Sequence, residues 1–377
     1  MIVSPPGREP STLEPSPVVV RKRLEWMDQL RGTAILLVMV WHAPAIPALF
    51  GARMSPGVQA ANMFFLPFRM PTLMVLSGML LPASLRKPLP TYYLGKISAI
   101  VWPYMLFVVL DRHLLGAAHP WWHWRSWYAT SYLWFLFFIG VYYFIAPLLR
   151  RVPTLVIVTT FAAISLLLDA STEKRLTYFA VFFFLGKAMA ERPRWLENLL
   201  RRRLLLLWGL LALGMGVASA IYSRQLAYRI EFGPLTLAGV LCAVAGARAL
   251  ENAGRLLGWV NEVGRNSLVF YTAHFPIMFG VMSGLYALHI RTLLVVAPAS
   301  FVVAYASCFV LMRLRHRVPV AWIFQSPQRP TRWLTRELEQ TRLLQPRPRA
   351  VAAHAPTPTE QRSLGAERNA FGDRADR

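Results

Sequence analysis

Charged residues are scarce in this chain of 377 residues. Only 16% are Asp, Glu, Lys or Arg, whereas a soluble globular protein carries about a quarter. Hydrophobic residues make up 55%, and several apolar runs approach the roughly 20 residues that a helix needs to cross a bilayer. This composition argues against a soluble domain, and we predict an all-α polytopic membrane protein.

Cysteine is rare as well. Cys242 and Cys308 both lie within apolar runs without an obvious partner, so no disulfide framework is expected. No cleavable signal peptide is evident, because the first 28 residues are proline-rich and basic and the first apolar run is long enough to remain as an anchor. The sequence also lacks a zinc-type His/Cys cluster, a Walker loop and a GxSxG elbow, and we expect no metal.

Acidic residues are few, since 18 Asp and Glu stand against 41 Lys and Arg, a net charge of +23. In a soluble protein this excess would indicate nucleic-acid binding, but its distribution indicates a membrane. With the N-terminus placed in the cytoplasm, 31 basic residues fall in inner segments and 8 in outer loops, as the positive-inside rule predicts. The positive charge then faces membrane lipids, and no nucleic acid is expected. The apolar segments lie near 30–50, 59–81, 97–115, 130–149, 153–169, 176–190, 204–222, 232–250, 266–289 and 292–312.

These segments predict a bundle of about ten transmembrane helices in the cell membrane, with both termini cytoplasmic. Residues 1–25 are predicted as a cytoplasmic tail, 26–315 as the transmembrane domain, and 316–377 as a basic, largely disordered cytoplasmic tail. The predicted outer loop 119–128 holds four tryptophans and a tyrosine. We interpret it as an interfacial aromatic belt, with a sugar-stacking platform as the alternative.

Four ionisable residues lie in or beside apolar helices, namely Arg31, His42, Arg69 and His274. Such groups are expensive in a membrane and are functional candidates by default. Arg31 and His42 are eleven residues apart and therefore share one helix face, about 16 Å apart along the axis. Asp28 lies one turn before Arg31 and can pair with it. The alternative is an ordinary interfacial ion pair and a core histidine.

Arg69 has no acid near it in sequence. It must pair across helices, contact a ligand or face a water-filled cavity. Ser77 and Gly78 follow two turns later, and small residues like these also let helices approach closely. His274 falls near mid-depth, with Tyr271 one turn before it on the same face. Structural and functional roles both remain open for His274.

One segment, LEWMDQLRGTAILLVMVWHA, resembles the first helix of the acyltransferase-3 family of integral membrane acyltransferases. That family's motif is Asp-x-x-Arg-Gly followed by Arg-x10-His, and Asp28, Arg31, Gly32 and His42 match it. The resemblance spans roughly 26–312. Later family motifs are resembled in the expected order by FRMPTLMVLSGML (Ser77 and Gly78), SYLWFLFFIGVYY (Trp134), FFFLGKAMA (Gly186) and NSLVFYTAHFPI (Tyr271, His274 and Pro276).

The resemblance implies acyl transfer from a cytoplasmic acyl-CoA, with acetyl-CoA expected, to a hydroxyl of a carbohydrate or glycosylated metabolite. It implies that His42 is the general base, while a covalent acyl-histidine step stays open. Arg31 and His274 are the other candidate catalytic residues. The candidate substrate-binding residues are Asp28, Arg69, Ser77, Trp134 and Tyr271.

The third helix departs from the family pattern. Many members begin it with Arg-x-x-Arg, whereas this chain has Lys96 and then Ala99. Arg86, Lys87 and Lys96 cluster at the predicted inner face and are the candidates for binding the phosphates of CoA. The SGNH-type esterase domain that some members carry at the C-terminus is not expected here.

Two other classes remain open. A proton-coupled transporter of a small polar metabolite or glycoside also places histidine and arginine at mid-membrane, although we see no inverted repeat. A non-catalytic scaffold is disfavoured, because it would bury these polar groups for no purpose.

Overall fold

The computed structural model describes residues 24–116, 119–169, 172–226, 228–251 and 257–327. Within these ranges the chain is helical and forms no β-strand. Of the predicted tails, residues 1–23 and 328–377 lie outside the described residues, whereas residues 316–327 are described and include the short helix Val320–Phe324. The α-helices are Glu25–Leu49 (α1), Pro56–Met79 (α2), Leu81–Leu85 (α3), Leu89–Lys96 (α4), Trp102–Leu115 (α5), Trp134–Ile145 (α6), Thr154–Leu167 (α7), Thr172–Glu191 (α8), Pro193–Leu199 (α9), Arg202–Tyr222 (α10), Gly233–Ala249 (α11), Gly258–Arg265 (α12), Ser267–Ala287 (α13), Leu293–Leu314 (α14) and Val320–Phe324 (α15).

Each of the ten predicted segments coincides with a helix. Among the described residues, seven helical stretches are long and apolar enough to cross a membrane, which makes the chain a multi-pass membrane protein. The α6 and α7 helices are apolar but shorter, and α8 carries charges near both ends. The number ten and the sides of the termini stay predictions. The seven stretches are Glu25–Leu49, Pro56–Leu85, Leu89–Leu115, Arg202–Tyr222, Ile230–Ala249, Ser267–Ala287 and Leu293–Leu314.

The α2 and α8 helices cross in close contact because both have glycine at the crossing. A Cβ atom added at Gly78 would lie 1.7 Å from the carbonyl oxygen of Phe183, and one added at Gly186 would lie 2.1 Å from that of Val75. No side chain fits at either position. The motif glycines therefore set the distance between two central helices.

The α1 helix is surrounded by α2, α11, α12, α13 and α14. Its N-terminal end, called the inner end after the predicted topology, crosses α12 so closely that a Cβ atom at Gly264 would lie 1.8 Å from the carbonyl oxygen of Asp28. This crossing brings the end of α12 against the charged start of α1. The packing of α13 against the other half of α1 brings two predicted site residues together, as described next.

Candidate active site

His42 on α1 and His274 on α13 are in direct contact. The Nδ1 atom of His42 lies 3.0 Å from the Nε2 atom of His274. On its other side, Nδ1 of His274 lies 2.8 Å from the carbonyl oxygen of Phe270. His274 is completely buried. The sequence predicts both histidines at mid-depth, but it gives no sign that they touch.

The hydrogen bonds assign the protons of this histidine pair. The Phe270 carbonyl can only accept, so Nδ1 of His274 must carry a hydrogen. In a neutral ring, Nε2 of His274 then holds a lone pair and accepts a hydrogen bond from Nδ1 of His42. Consequently the lone pair of neutral His42 is on Nε2. The pair leaves a basic nitrogen on the ring of His42.

His42 lines a cavity of about 900 Å³, near the upper end of the range for small-molecule sites. The walls come from α1, α2, α8, α13 and the segments before α6 and α11. The exposed lining residues Gln225 and Arg229 mark its mouth. His42 therefore faces a space that admits a ligand and not the lipid. The aromatic lining residues are Trp41, Tyr132, Trp134, Tyr228 and Tyr271, and the cationic ones are Arg69, Lys174, Arg175 and Arg229.

Arg69 forms part of the same cavity wall and is buried. Its Nη1 atom donates to Oδ1 of Asn62 at 2.7 Å and to the carbonyl oxygen of Leu37 on α1 at 3.4 Å. Its guanidinium carbon lies 5.7 Å from the ring centre of Trp41. Asn62 was not predicted from sequence, although its position two turns before Arg69 on one helix was a usable signal.

Tyr271 and Tyr132 form reciprocal hydrogen bonds next to the histidine pair. The hydroxyl of Tyr271 donates to the carbonyl oxygen of Tyr132. The hydroxyl of Tyr132 in turn donates to the carbonyl oxygen of Thr272 at 2.8 Å. The ring of Tyr132 also stacks on Phe275 with 4.4 Å between centroids. These reciprocal bonds fix α13 against the segment before α6. Tyr132 was not predicted from sequence, because its role depends on a partner about 140 positions away.

Trp134 lies in the cavity wall between protein groups. Its ring stacks on Phe179 with 5.0 Å between centroids, and the guanidinium carbon of Arg175 lies 4.4 Å from its ring centre. Arg175 also lies 4.9 Å from the ring centre of Tyr228. Arg175 falls in a predicted outer loop, so this arrangement was not predicted from sequence.

The inner end of α1 holds the ion pair predicted from sequence. Asp28 is buried, and its Oδ1 lies 3.9 Å from Nη1 of Arg31. A third residue joins them from α12, since Nε of Arg265 lies 3.3 Å from Oδ2 of Asp28. None of the three lines the cavity. Arg31 lies about 16 Å from His42 along the helix axis, so the structure places these residues at a different level from the histidine pair.

Ser77 also lies away from the cavity lining. Its hydroxyl donates to the carbonyl oxygen of Leu73 at 2.7 Å, and its own carbonyl accepts from the hydroxyl of Tyr143 at 2.9 Å. These contacts belong to helix packing.

The predicted donor-binding residues differ in how they are held. Lys96 donates to Oγ of Ser84 at 3.3 Å, and its ammonium lies 3.4 Å from the ring centre of Tyr143. It precedes a π-helical turn over Ile97–Val101. Arg86 and Lys87 are exposed on the surface.

An apolar groove of about 390 Å³ runs between α1, α2, α10 and α11. It extends along α1 from Leu30, in the half that holds Arg31, to Leu37. Cys242 lines it, and so does Arg69. Arg69 therefore belongs to the walls of both the groove and the cavity.

Among the residues that the structure describes, no three His, Cys, Asp or Glu side chains group as metal ligands. A helical membrane bundle that holds a histidine pair beside a large cavity with cationic and aromatic walls defines an integral membrane protein equipped for acid–base chemistry. Residues 24–313 match the sequence profile of the acyltransferase-3 family, described as an acyltransferase domain. The chain belongs to this family and is a membrane acyltransferase that transfers groups other than aminoacyl groups. Neither the curated proteins nor the solved structures include a match to the chain.

Proposed function

We propose that this protein is an O-acyltransferase of the cell membrane. It moves an acyl group, most simply acetyl, from cytoplasmic acyl-CoA to a hydroxyl of a carbohydrate or glycosylated metabolite. The observation that supports this reaction best is the His42–His274 pair on the wall of the 900 Å³ cavity. The pair supplies a general base where an acceptor can bind.

The chemistry requires one base that takes and returns a proton. Nε2 of His42 accepts the proton of the acceptor hydroxyl while that oxygen attacks the thioester carbonyl carbon. The tetrahedral intermediate then collapses, the carbon–sulfur bond breaks, and the imidazolium of His42 returns the proton to the sulfur of CoA. His274 stabilises the imidazolium, because Nδ1–H of His42 donates to it throughout and a bond from a charged donor is stronger.

Arg69 is placed to stabilise the negative charge that develops on the thioester oxygen. It lines the cavity beside His42, and its described hydrogen bonds use only Nη1 of a side chain with five N–H donors. A cation that is held in position before the reaction lowers the energy of an oxyanion. Asn62 and the Leu37 carbonyl hold the guanidinium in position before the substrate arrives.

The apolar groove supports a route for the donor. A pantetheine arm with a short acyl group is long, thin and only mildly polar, and the groove connects the level of Leu30 to Arg69. We assign the groove to this arm. The thioester then reaches Arg69 from the half of α1 that is predicted to be cytoplasmic, while the acceptor enters through the cavity.

The phosphates of CoA are assigned to the basic residues of the predicted inner face. Arg86 and Lys87 are exposed there, and Lys96 is held by Ser84 and Tyr143. Charge-assisted hydrogen bonds from these groups suit phosphate oxygens. The contacts of Asp28 and Ser77 support structural positions, Asp28 between two arginines and Ser77 at a helix crossing.

The direct test is His42→Ala in purified protein, with thiol release from acetyl-CoA in the presence of an acceptor as the measurement. We expect a loss of about 10²–10⁴-fold, because a general base contributes about this much. The matched control is His113→Ala, which removes an exposed histidine near the end of α5 and leaves the rate unchanged. Full activity in a folded His42→Ala protein would refute the mechanism.

A further inference from the structure

The mouth of the cavity has the composition of an anion-binding site. We infer that the acceptor carries an anionic oxygen group, a carboxylate or a phosphate, which Arg175 binds with Lys174 and Arg229. This inference rests on the proposed function and deepens it, because it names the class of acceptor: an acidic carbohydrate or glycoside instead of a neutral one.

The charges of the lining are all of one sign. Arg69, Lys174, Arg175 and Arg229 line the cavity, and no Asp or Glu is among the described lining residues. Arg229 pairs with Glu231 at 2.9 Å, and that acid lies outside the lining. Low-dielectric walls concentrate the field of such a cleft and raise the local concentration of anions.

Arg175 is held so that its hydrogen-bond donors remain for a ligand. The rings of Trp134 and Tyr228 contact the guanidinium through their faces. Contacts with the ring faces fix the position of the guanidinium but do not use its hydrogen-bond donors, because the N–H groups lie in the plane of the guanidinium. The Nε atom of Arg175 is buried and has no hydrogen-bond partner. A planar carboxylate or a phosphate supplies the missing acceptor.

Asn62 presents a second donor of the same kind. Its Oδ1 is held by Arg69 at 2.7 Å, and this bond fixes the amide. Its Nδ2 atom is buried and has no partner. Buried donors are almost always satisfied in proteins. Two unsatisfied donors on the wall of one cavity therefore call for a ligand that is rich in acceptor oxygens.

Two backbone features also favour an anionic ligand in the cavity. The twenty-residue helix α8 begins at Thr172 in the lining, so the positive end of its dipole lies at the cavity. Tyr228 adopts φ of +60°, a strained backbone conformation for a residue with a side chain. The chain tolerates this strain where it places the Tyr228 ring against Arg175.

The predicted topology assigns the anionic group to the acceptor and not to CoA. Lys174 and Arg175 lie in the first turn of α8, and Arg229 lies in the segment before α11. All three fall in predicted outer loops. CoA is a cytoplasmic molecule, so its phosphates do not reach this side. The phosphate or carboxylate is thus part of the molecule that receives the acyl group.

The test is equilibrium binding by calorimetry to the purified full chain in neutral detergent, with glucuronate, glucose 6-phosphate, glucose and CoA as probes. We expect at least one of the two anionic sugars to bind about tenfold or more tightly than glucose, as hydrogen bonds between charged groups predict. Arg175→Gln removes this preference and leaves CoA binding unchanged. Arg175→Lys, which keeps the charge without the planar fork, restores part of it.

Two further variants make the result specific. Arg291→Gln removes an exposed arginine from another predicted outer loop and should leave binding of the anionic sugars unchanged. Arg229→Gln should weaken it, and this variant replaces Arg175→Gln if the latter fails to fold. The inference is overturned if glucose and both anionic sugars bind equally tightly, or if neither anionic sugar binds. It is also overturned by a loss of CoA binding in Arg175→Gln with sugar binding intact.

The inference and the proposed function can fail separately. His42→Ala should keep its preference for anionic sugars while it loses acyl transfer. If Arg175→Gln acylates neutral and acidic acceptors as the wild type does, the acidic acceptor is wrong and the acyltransferase mechanism stands. If His42→Ala still transfers acyl groups, the mechanism is wrong and the binding result is unaffected.

Discussion

The two halves of α1 differ in the surroundings of the positively charged side chains near them. At the inner end, Asp28 lies between Arg31 and Arg265, so a buried carboxylate is shared by two guanidinium groups. In the other half, His42 shares a cavity with several cations and no described carboxylate. A charge cluster that is closed within the protein stabilises the fold, whereas several cations gathered on the wall of one cavity are arranged for a ligand.

This contrast explains why the cavity coincides with only one half of α1. The inner end is closed by the crossing with α12, where Gly264 allows backbone contact. Around His42 the neighbouring residues are large and aromatic, and they are fixed by hydrogen bonds to backbone carbonyls, as in Tyr132 and Tyr271. Rigid walls that do not fill the space leave room for a substrate.

The largest effect is expected from breaking the inner charge cluster with Asp28→Ala. Two guanidinium groups then lose their carboxylate. Removing one partner of a fully buried ion pair costs about 3–5 kcal/mol of stability, and the exposure of the Arg265 side chain reduces this cost. We expect a lower melting temperature in detergent and an unchanged specific activity of the protein that remains folded. Glu197→Ala, which removes an exposed acid on α9, is the control.

A folded Asp28→Ala protein with normal stability but no acyl transfer would reverse the comparison. It would make the inner end of α1 part of the reaction site, as the family motif suggests for Asp28 and Arg31. The measurement therefore decides between a structural and a functional reading of the first motif.

An intermediate effect is expected from His274→Ala. His42 keeps its position on α1 but loses the acceptor for its Nδ1–H, so its tautomer and orientation are no longer fixed. We expect the turnover number to fall by about 10–100-fold, less than in His42→Ala, with little change in KM for acetyl-CoA.

His274→Gln sharpens the same point. The carbonyl oxygen of glutamine can accept a hydrogen bond from Nδ1 of His42, so this variant should recover part of the activity that alanine loses. A residue that only fills space would behave alike in both variants. Equal turnover in the alanine, glutamine and wild-type proteins would remove His274 from the mechanism.

Sequence periodicity located the helices and several site residues but not their contacts. The spacing of Arg31 and His42 reports which side chains share a face of α1, and hydropathy reports which segments cross the membrane. Neither signal tells which helix packs on that face. The contact between His42 and His274 joins residues 232 positions apart, and that of Asp28 with Arg265 joins residues 237 positions apart.

The missed residues have a common physical reason. Arg175 and Tyr228 lie in segments that read as ordinary polar loops, and only tertiary structure places them on one cavity wall. Tyr132 and Asn62 are uncharged, so the cost of burying charge did not mark them. Trp134 was foreseen through its motif, although its contacts with Phe179 and Arg175 make it a support for the arginine.

The smallest effect tests whether the donor uses the groove between Leu30 and Arg69. Cys242 lines this groove and is partly exposed, whereas Cys308 is completely buried. Labelling of the folded protein by N-ethylmaleimide should therefore occur at Cys242, and Cys242→Ser should abolish it. Acetyl-CoA should slow the labelling severalfold, because the pantetheine arm covers the thiol, while glucuronate should not. If an anionic sugar slows the labelling and acetyl-CoA does not, the groove binds the acceptor. The assignment of one half of α1 to the donor and the other half to the acceptor would then be wrong.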